Sequence, residues 1–117
     1  MSTDFTLKSE VQHNCLILTT AGYINNTGGE RIAQEFYSHQ SSGVKNVILD
    51  LSGTKVVNSI GISYLIEIIE KLNESGGKMV FTNLDPSIDK TFLIMGLYQF
   101  AQKVDRVEEA LNSLSHK

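Results

Sequence analysis

The chain has 117 residues, of which 41% are hydrophobic and 20% charged, and its formal net charge is −3. This composition is typical of one globular domain, while the scattered Lys and Arg residues argue against a nucleic-acid interface and the single cysteine excludes a disulfide framework. No apolar run is long enough to span a membrane and Met1–Lys8 lacks an apolar signal region, so we expect a cytoplasmic protein without membrane insertion.

The first part of the chain predicts a hairpin followed by a helix. Phe5–Gln12 and Cys15–Thr20 are β-prone runs on either side of His13–Asn14, which reads as a tight turn. Thr27–Glu30 then fits a capping box, in which the Thr hydroxyl and the Glu carboxylate bind free N–H groups at a helix start. The helix continues to Ser41–Gly43 with one apolar face. That face carries Ile32, Ala33, Phe36 and Tyr37.

The second part alternates strands with helices. Val47–Leu51 is the near-continuous apolar run of a strand that is buried on both faces. A helix over Ser59–Glu74 follows and ends at Gly76–Gly77, and the next strand covers Lys78–Thr82. A shorter helix then begins with an Asp85 cap and Pro86 and extends to Met95. The chain closes with a weak edge strand over Phe100–Val104 and a last helix that is capped by Asp105 and Glu108 and extends through Leu114.

This alternation predicts an α/β protein. We expect a single domain over residues 1–117, with its core at about 5–114 and a mixed, largely parallel sheet of four to five strands with about four helices. Residues predicted to be buried in its core are Leu49, Leu65, Ile69 and Val80.

Enzyme signatures are missing from the sequence. Gly76–Lys78 resembles the end of a phosphate-binding loop, but it leads into a strand, whereas such a loop leads into a helix. His13, His39 and His116 are far apart and read as turn or surface residues, and Cys15 lies in an apolar run and reads as a core residue. We therefore predict a protein that is not an enzyme and has no catalytic residue, metal site or cofactor.

Asp50 ends a central strand, where a carboxylate could accept a phosphoryl group as in a two-component receiver. That chemistry needs further acids at the end of the first strand to hold Mg²⁺, and the matching turn here is the neutral Asn25–Asn26. We expect Asp50 instead to bind the backbone of Ser52–Gly53. A receiver-like or nucleotide-binding enzyme is one alternative, and it would bind Mg²⁺ or nucleotide on its own.

The most informative segment is Lys55–Gly61, a short apolar run that turns into the most hydrophobic helix. Ser59 is predicted to lie at or just inside the start of that helix, where unpaired N–H groups and the helix dipole stabilise an anion. A phosphate on Ser59 could then bind the N–H groups of Ile60 and Gly61. The simpler interpretation is that Asn58 or Ser59 caps the helix, and the two are compatible because an exposed hydroxyl is accessible to a kinase.

Together these segments resemble the STAS domain of anti-sigma factor antagonists. The central motif of that family is an apolar residue, Asp, Ser, a small residue, Gly and an apolar residue, and Val57–Ile62 is similar to it. Asp50–Ser52 precedes the motif as in the family. Further matching stretches are Leu18–Asn25, Gly76–Val80 and Asn83–Leu97. The resemblance extends from about Phe5 to Leu114.

The resemblance implies a regulatory switch. In the family, the unphosphorylated domain binds an anti-sigma factor that is also a serine kinase and holds the ATP, which frees the sigma factor. Phosphorylation of the motif serine dissociates the complex, and a serine phosphatase restores the active form. Carried over by position, the phosphorylated residue is Ser59. The implied partner-binding residues are Asn25, Asn26, Asn58, Ile60, Gly61 and Ile62.

Three positions depart from the family pattern. Asn58 and Asn25 stand where Asp is usual, and Ile60 stands where a small residue is usual. The missing carboxylates remove charge that could pair with a basic partner, and a β-branched side chain beside Ser59 could hinder a kinase. The alternative implied by the same family is the STAS subunit of a stress-signalling scaffold or a lipid-transport complex, acting as a binding module that is not phosphorylated.

Overall fold

A computed structural model describes residues 5–115, which form a five-stranded sheet with helices on both faces. In chain order the elements are β1 (Thr6–Gln12), β2 (Cys15–Ala21), α1 (Asn26–His39), β3 (Asn46–Gly53), α2 (Ser59–Glu74), β4 (Met79–Thr82), α3 (Pro86–Ile94), β5 (Gln102–Val104) and α4 (Val107–Ser115). Two short 3₁₀ turns lie at Gln40–Ser42 and Leu97–Gln99.

The strands follow one another across the sheet in the order β1-β2-β3-β4-β5. The β1–β2 pair is antiparallel and every other pair is parallel. Because parallel crossovers are right-handed, this order places α1, α2 and α3 on one face, and α4 packs on the other. The predicted mixed, largely parallel α/β architecture is confirmed. No helix within residues 5–115 is long and apolar enough to cross a membrane.

The predicted hairpin is also confirmed. Its two turn residues both have left-handed backbone angles, with φ of 52° at His13 and 66° at Asn14. Two positive φ values in succession are the mark of the tight turn whose twist matches that of two antiparallel strands. Asparagine accepts this conformation more readily than most residues, which explains its place in the turn.

The core lies mainly between the sheet and the three helices of one face. Leu49 and Leu65 are fully buried there and Ile69 is 3% exposed, as predicted. A smaller cluster under α4 contains the predicted Val80 together with Cys15. Burial raises the pKa of the Cys15 thiol, which keeps it protonated, as the prediction of a core cysteine requires.

Two predicted helix caps are wrong. Helix α1 begins at Asn26 rather than at a Thr27–Glu30 capping box, because Asn25 has an extended backbone and its side-chain oxygen accepts the N–H of Gly28 at 3.0 Å. At α4 the capping carboxylate belongs to Glu109, which accepts the N–H groups of Asp105 and Arg106, and not to Glu108. The last edge strand is also shorter than predicted, since Phe100 and Ala101 precede β5.

The burial of Leu65 generates a stability prediction. Replacement of Leu65 by Ala should lower the free energy of unfolding by about 2–5 kcal/mol, because it removes apolar contacts and leaves a cavity between α2 and the sheet. Urea unfolding followed by circular dichroism measures the change. A loss well below about 1 kcal/mol would show that the packed face of α2 has been misplaced.

Candidate functional site

The backbone of Ile24 holds the start of α1 beside the start of α2. The Ile24 N–H donates to the carbonyl of Val56 at 3.0 Å, and the N–H of Asn58 donates to the carbonyl of Ile24 at 3.1 Å. Ile24 and Val57 thus form an isolated parallel bridge beyond the ends of β2 and β3. The Ile24 side chain is fully buried, so this bridge is anchored in the core.

Each of the two helices then begins with an asparagine cap of the same geometry. The Asn58 side-chain oxygen accepts the N–H of Gly61 at 2.8 Å, as that of Asn25 accepts the N–H of Gly28. Asn58 has an extended backbone, with φ −95° and ψ 176°, so it is the cap and Ser59 is the first helical residue. Neither helix has an acidic residue in its first turn, and both positive dipole ends therefore lack a carboxylate.

Ser59 is exposed at this end of the molecule, and its hydroxyl makes no hydrogen bond to the described residues. Within residues 5–115 the backbone N–H groups of Ser59 and Ile60 also find no acceptor, as expected for the first two positions of a helix. The N–H of Gly61 is occupied by the Asn58 cap. Of the two N–H groups that the sequence suggested for an anion on Ser59, those of Ile60 and Gly61, only that of Ile60 is therefore free among the described residues.

Gly61 is buried because α2 lies against the backbone of Ile24. A Cβ at position 61 would lie 2.4 Å from the Ile24 carbonyl oxygen, closer than any packed carbon can approach. Ile62 is 3% exposed and belongs to the core. The expectation that Gly61 and Ile62 face a partner is therefore corrected, because their positions in the first turn point into the protein. They position Ser59 without being accessible themselves.

The accessible surface around Ser59 includes residues that sequence reasoning missed. Ile60 is 51% exposed, as a partner-facing residue must be. Val56 and Tyr23 are also exposed large apolar side chains, and the hydrogen bond from the Ile24 N–H to the Val56 carbonyl holds their two segments together next to the start of α2. Val56 alternates with the half-buried Val57, and this strand-like alternation was the signal that could have identified it. We call Tyr23, Asn26, Val56, Ser59 and Ile60 the Ser59 surface. Asn25 and Asn58 lie half-buried behind it as caps.

Helices α1 and α2 are tied together behind the Ser59 surface. The Tyr37 hydroxyl donates a hydrogen bond to the Glu67 carboxylate, which raises the pKa of Tyr37 to about 12. Nearer the site, a Cβ on Gly29 would lie 2.7 Å from the ring of Tyr64 and 3.2 Å from the Cα of Gly61. The two helix starts therefore cannot separate without breaking close contacts.

Asp50 has the structural role that the sequence predicted. Its Oδ1 accepts the N–H of Ser52 at 3.0 Å and also the side-chain amide of Asn83 at 2.9 Å. The carboxylate thus joins the last residues of β3 to the residue that follows β4. Within residues 5–115 there is no group of three or more His, Cys, Asp or Glu side chains placed to hold a metal ion.

Comparison with known proteins identifies the fold and its family. The STAS domain family model matches residues 6–110. BtrV of Bordetella bronchiseptica, a candidate anti-sigma factor antagonist, is 26% identical over 81 residues, which are 69% of this chain and 70% of BtrV. An anti-sigma factor antagonist from Mycobacterium paratuberculosis has a TM-score of 0.85 at 18% identity, with 99% of this chain and 100% of that chain covered.

The Bacillus anti-sigma factor antagonist SpoIIAA has the same fold in two states. Its unphosphorylated form has a TM-score of 0.77 at 16% identity, covering 97% of this chain and 100% of that chain. Its phosphorylated form has a TM-score of 0.73 at 19% identity, covering 95% of this chain and 99% of that chain.

The contact between Gly61 and Ile24 predicts that replacement of this helical glycine by alanine lowers stability, although such a replacement usually raises it. In an exposed helix interior, Gly to Ala stabilises by about 1 kcal/mol, but Gly61→Ala should destabilise by about 1–3 kcal/mol because a Cβ there overlaps backbone. Ser63→Ala, at an exposed position of the same helix, is the control and should change stability by no more than about 0.5 kcal/mol. Urea unfolding that finds Gly61→Ala as stable as wild type would contradict the close approach of α2 to Ile24.

Proposed function

The chain belongs to the STAS domain family, and from this membership and the geometry around Ser59 we propose that it is an anti-sigma factor antagonist switched by phosphorylation. In its unphosphorylated form it binds an anti-sigma factor that is also a serine kinase and holds the ATP, and this binding releases a sigma factor. The kinase phosphorylates Ser59 and the complex dissociates. A serine phosphatase returns the protein to its binding form. We place this cycle in the cytoplasm, without a role for nucleic acid.

The observation that carries this proposal is the exposed, unbonded hydroxyl of Ser59 at the first position of α2. A kinase can reach such a hydroxyl without unfolding the helix. The phosphate would then lie where the helix dipole and the free N–H of Ile60 favour an anion. Because Asn58 caps the helix without charge, no carboxylate adjoins the phosphate in the first turn. Phosphorylation is therefore compatible with the fold.

The Ser59 surface supports the binding step. Ile60 and Val56 provide apolar area, Asn26 provides neutral polar groups, and Ser59 lies among them. In a complex this area would lose its water. A phosphate of charge about −1.5 to −2 in its midst would then be desolvated without a matching cation, and it would approach the phosphates of the kinase's own nucleotide. Phosphorylation should weaken binding without disturbing the domain.

A second candidate function is a binding module of a stress-signalling scaffold or a lipid-transport complex that is not phosphorylated. The exposed β-branched side chain of Ile60 favours this second function, because Ile60 adjoins Ser59 and would hinder the access of a kinase to the Ser59 hydroxyl. In that case Ser59 would serve only the start of the helix. Treatment of the protein with its kinase distinguishes the two functions, since only the first predicts incorporation of phosphate.

The switch is tested with Ser59 variants and matched controls one turn further along α2. Ser59→Ala should fold and bind the kinase as wild type does but should incorporate no phosphate. Ser59→Glu should fold and bind the kinase at least about tenfold more weakly, which corresponds to about 1.4 kcal/mol. Mass spectrometry after incubation with kinase and ATP measures modification, and calorimetric titration measures affinity.

The control variants are Ser63→Ala and Ser63→Glu, since Ser63 is also exposed but donates its hydroxyl to the carbonyl of Ile60. Both should be phosphorylated at Ser59, and Ser63→Glu should lose less affinity than Ser59→Glu. Equal modification of wild type and Ser59→Ala, or unchanged binding by Ser59→Glu, would contradict the switch and leave Ser59 with only a structural role at the start of α2.

A further prediction concerns the unusual Asn58. Asn58→Asp preserves the oxygen that caps Gly61, so the fold should be retained and helix α2 should gain about 0.3–1 kcal/mol from the added charge at its positive end. Binding to the native partner should nevertheless weaken, because that partner meets a neutral residue and the new carboxylate must be desolvated without a cation. Thermal unfolding and calorimetric titration separate the two effects. Tighter binding would reveal a basic partner surface.

A further inference from the structure

A second surface lies at the opposite end of α2 from Ser59. There an open groove of about 420 Å³ runs between the last turns of α2 and the segment that follows α3. We call it the α2–α3 groove. Its lining includes the apolar residues Ile69, Met95, Leu97 and Phe100 and the acidic residues Glu70 and Glu74. At a rise of 1.5 Å per residue, the α2 residues of the groove, from Ile66 to Glu74, lie about 10 to 23 Å from Ser59 along the helix, and none of them belongs to the Ser59 surface.

Several large apolar side chains at the groove are exposed and so do not contribute to the hydrophobic core. Its floor is closed by the buried Ile69 and Leu97, but Met95 is 48% and Phe100 is 64% exposed at its edge. Leu93 and Ile94, just before the groove, are 65% and 72% exposed. Large apolar side chains concentrated in this way on a surface mark an interaction site, and methionine adapts readily to a partner.

The two carboxylates at the groove do not stabilise the fold. Glu70 and Glu74 are one helical turn apart and repel each other, and Glu74 lies at the negative end of the α2 dipole. Lys71, the basic residue of that last turn, does not line the groove. Neither carboxylate has an ion-pair partner within the described part of the chain, and no Lys or Arg is among the described residues that line the groove. A cation on a bound partner would reduce the repulsion between these two carboxylates.

We propose that the α2–α3 groove binds an amphipathic helix of a partner protein, with apolar residues facing Met95 and Phe100 and with Lys or Arg facing Glu70 and Glu74. An apolar groove between helices suits a helix that presents residues at i, i+3, i+4 and i+7. A second copy of this chain fits poorly, because a symmetric contact would bring the carboxylates of both copies together. An anionic lipid surface fits poorly for the same reason of charge.

The test uses a synthetic peptide of about 18 residues, long enough to form a helix, with Leu at i, i+3, i+4 and i+7 spacing and Lys elsewhere. Amide shifts in nuclear magnetic resonance spectra should locate it at the α2–α3 groove, and calorimetric titration measures its affinity. Phe100→Ser should weaken binding at least about tenfold, as expected of an aromatic anchor. Val11→Ser, an exposed apolar residue of β1, is the control and should leave affinity unchanged.

Charge is tested with two double variants of equal net charge. Glu70→Lys with Glu74→Lys should weaken binding about tenfold, because two attractions become repulsions of ordinary surface strength. Glu30→Lys with Glu108→Lys changes exposed carboxylates elsewhere and should have a smaller effect. Ser59→Glu should not alter binding of the peptide, so this proposal can fail or succeed independently of the switch. Circular dichroism of each variant checks the fold.

Four outcomes would overturn the proposal. The peptide could bind away from the groove, or a peptide with Glu in place of Lys could bind equally well. Sedimentation could show a dimer that Phe100→Ser dissolves, which would make a second copy the occupant. Vesicles with anionic lipid could retain wild type and release Phe100→Ser, which would make a membrane the occupant.

Discussion

The site depends on one close approach, that of the Ile24 backbone to the first turn of α2. The Ile24 carbonyl accepts the N–H of Asn58, and the same carbonyl oxygen occupies the space that a Cβ of residue 61 would need. Only glycine permits this distance. The segment Asn58–Gly61 is therefore held in position at both ends, by the helix cap at Asn58 and by the backbone contact at Gly61. Ser59 and Ile60, between those two residues, are left facing outward. The exposure of the serine is thus a consequence of backbone packing.

The same approach determines the electrostatics of the site. It places the start of α2 beside the start of α1, and each helix is capped by a neutral asparagine. An aspartate would offset the positive end of the dipole, whereas asparagine makes the same hydrogen bond and leaves that potential in place. The surface that results is apolar, neutral in its side chains and favourable to an anion. Such a surface suits both a neutral partner interface and a bound phosphate, though not at the same time.

Sequence reasoning found what depends on local patterns and missed what depends on pairs of distant segments. The apolar run around Leu49, the glycines after α2 and the turn at His13 predict their elements because periodicity and backbone preference act locally. The cap of α1 was misassigned to Thr27 because the extended backbone of Asn25 is set by its neighbour Ile24, which pairs with a segment over 30 residues away. The burial of Ile62 beside an exposed Ile60 likewise depends on which side of α2 meets the sheet. The α2–α3 groove has no sequence signal, since its two sides are joined only by the fold.

Helix α2 has ends of opposite character, and this follows from its composition and its direction. Its first turn has a dipole end that no carboxylate offsets, while its last turns carry Glu70 and Glu74, with Lys71 as the basic residue of the last turn, where the dipole is already negative. A stable isolated helix would have the opposite arrangement, with acids first and bases last. Each end therefore favours a charge of the opposite sign, an anion at Ser59 and a cation at the carboxylates of the α2–α3 groove. A standard interface of about 800 Å² per partner is about 30 Å across, so a single partner could cover both ends of α2. Such a partner would have to carry opposite charges toward the two ends, whereas two different partners, or two segments of one, would each need a charge of one sign.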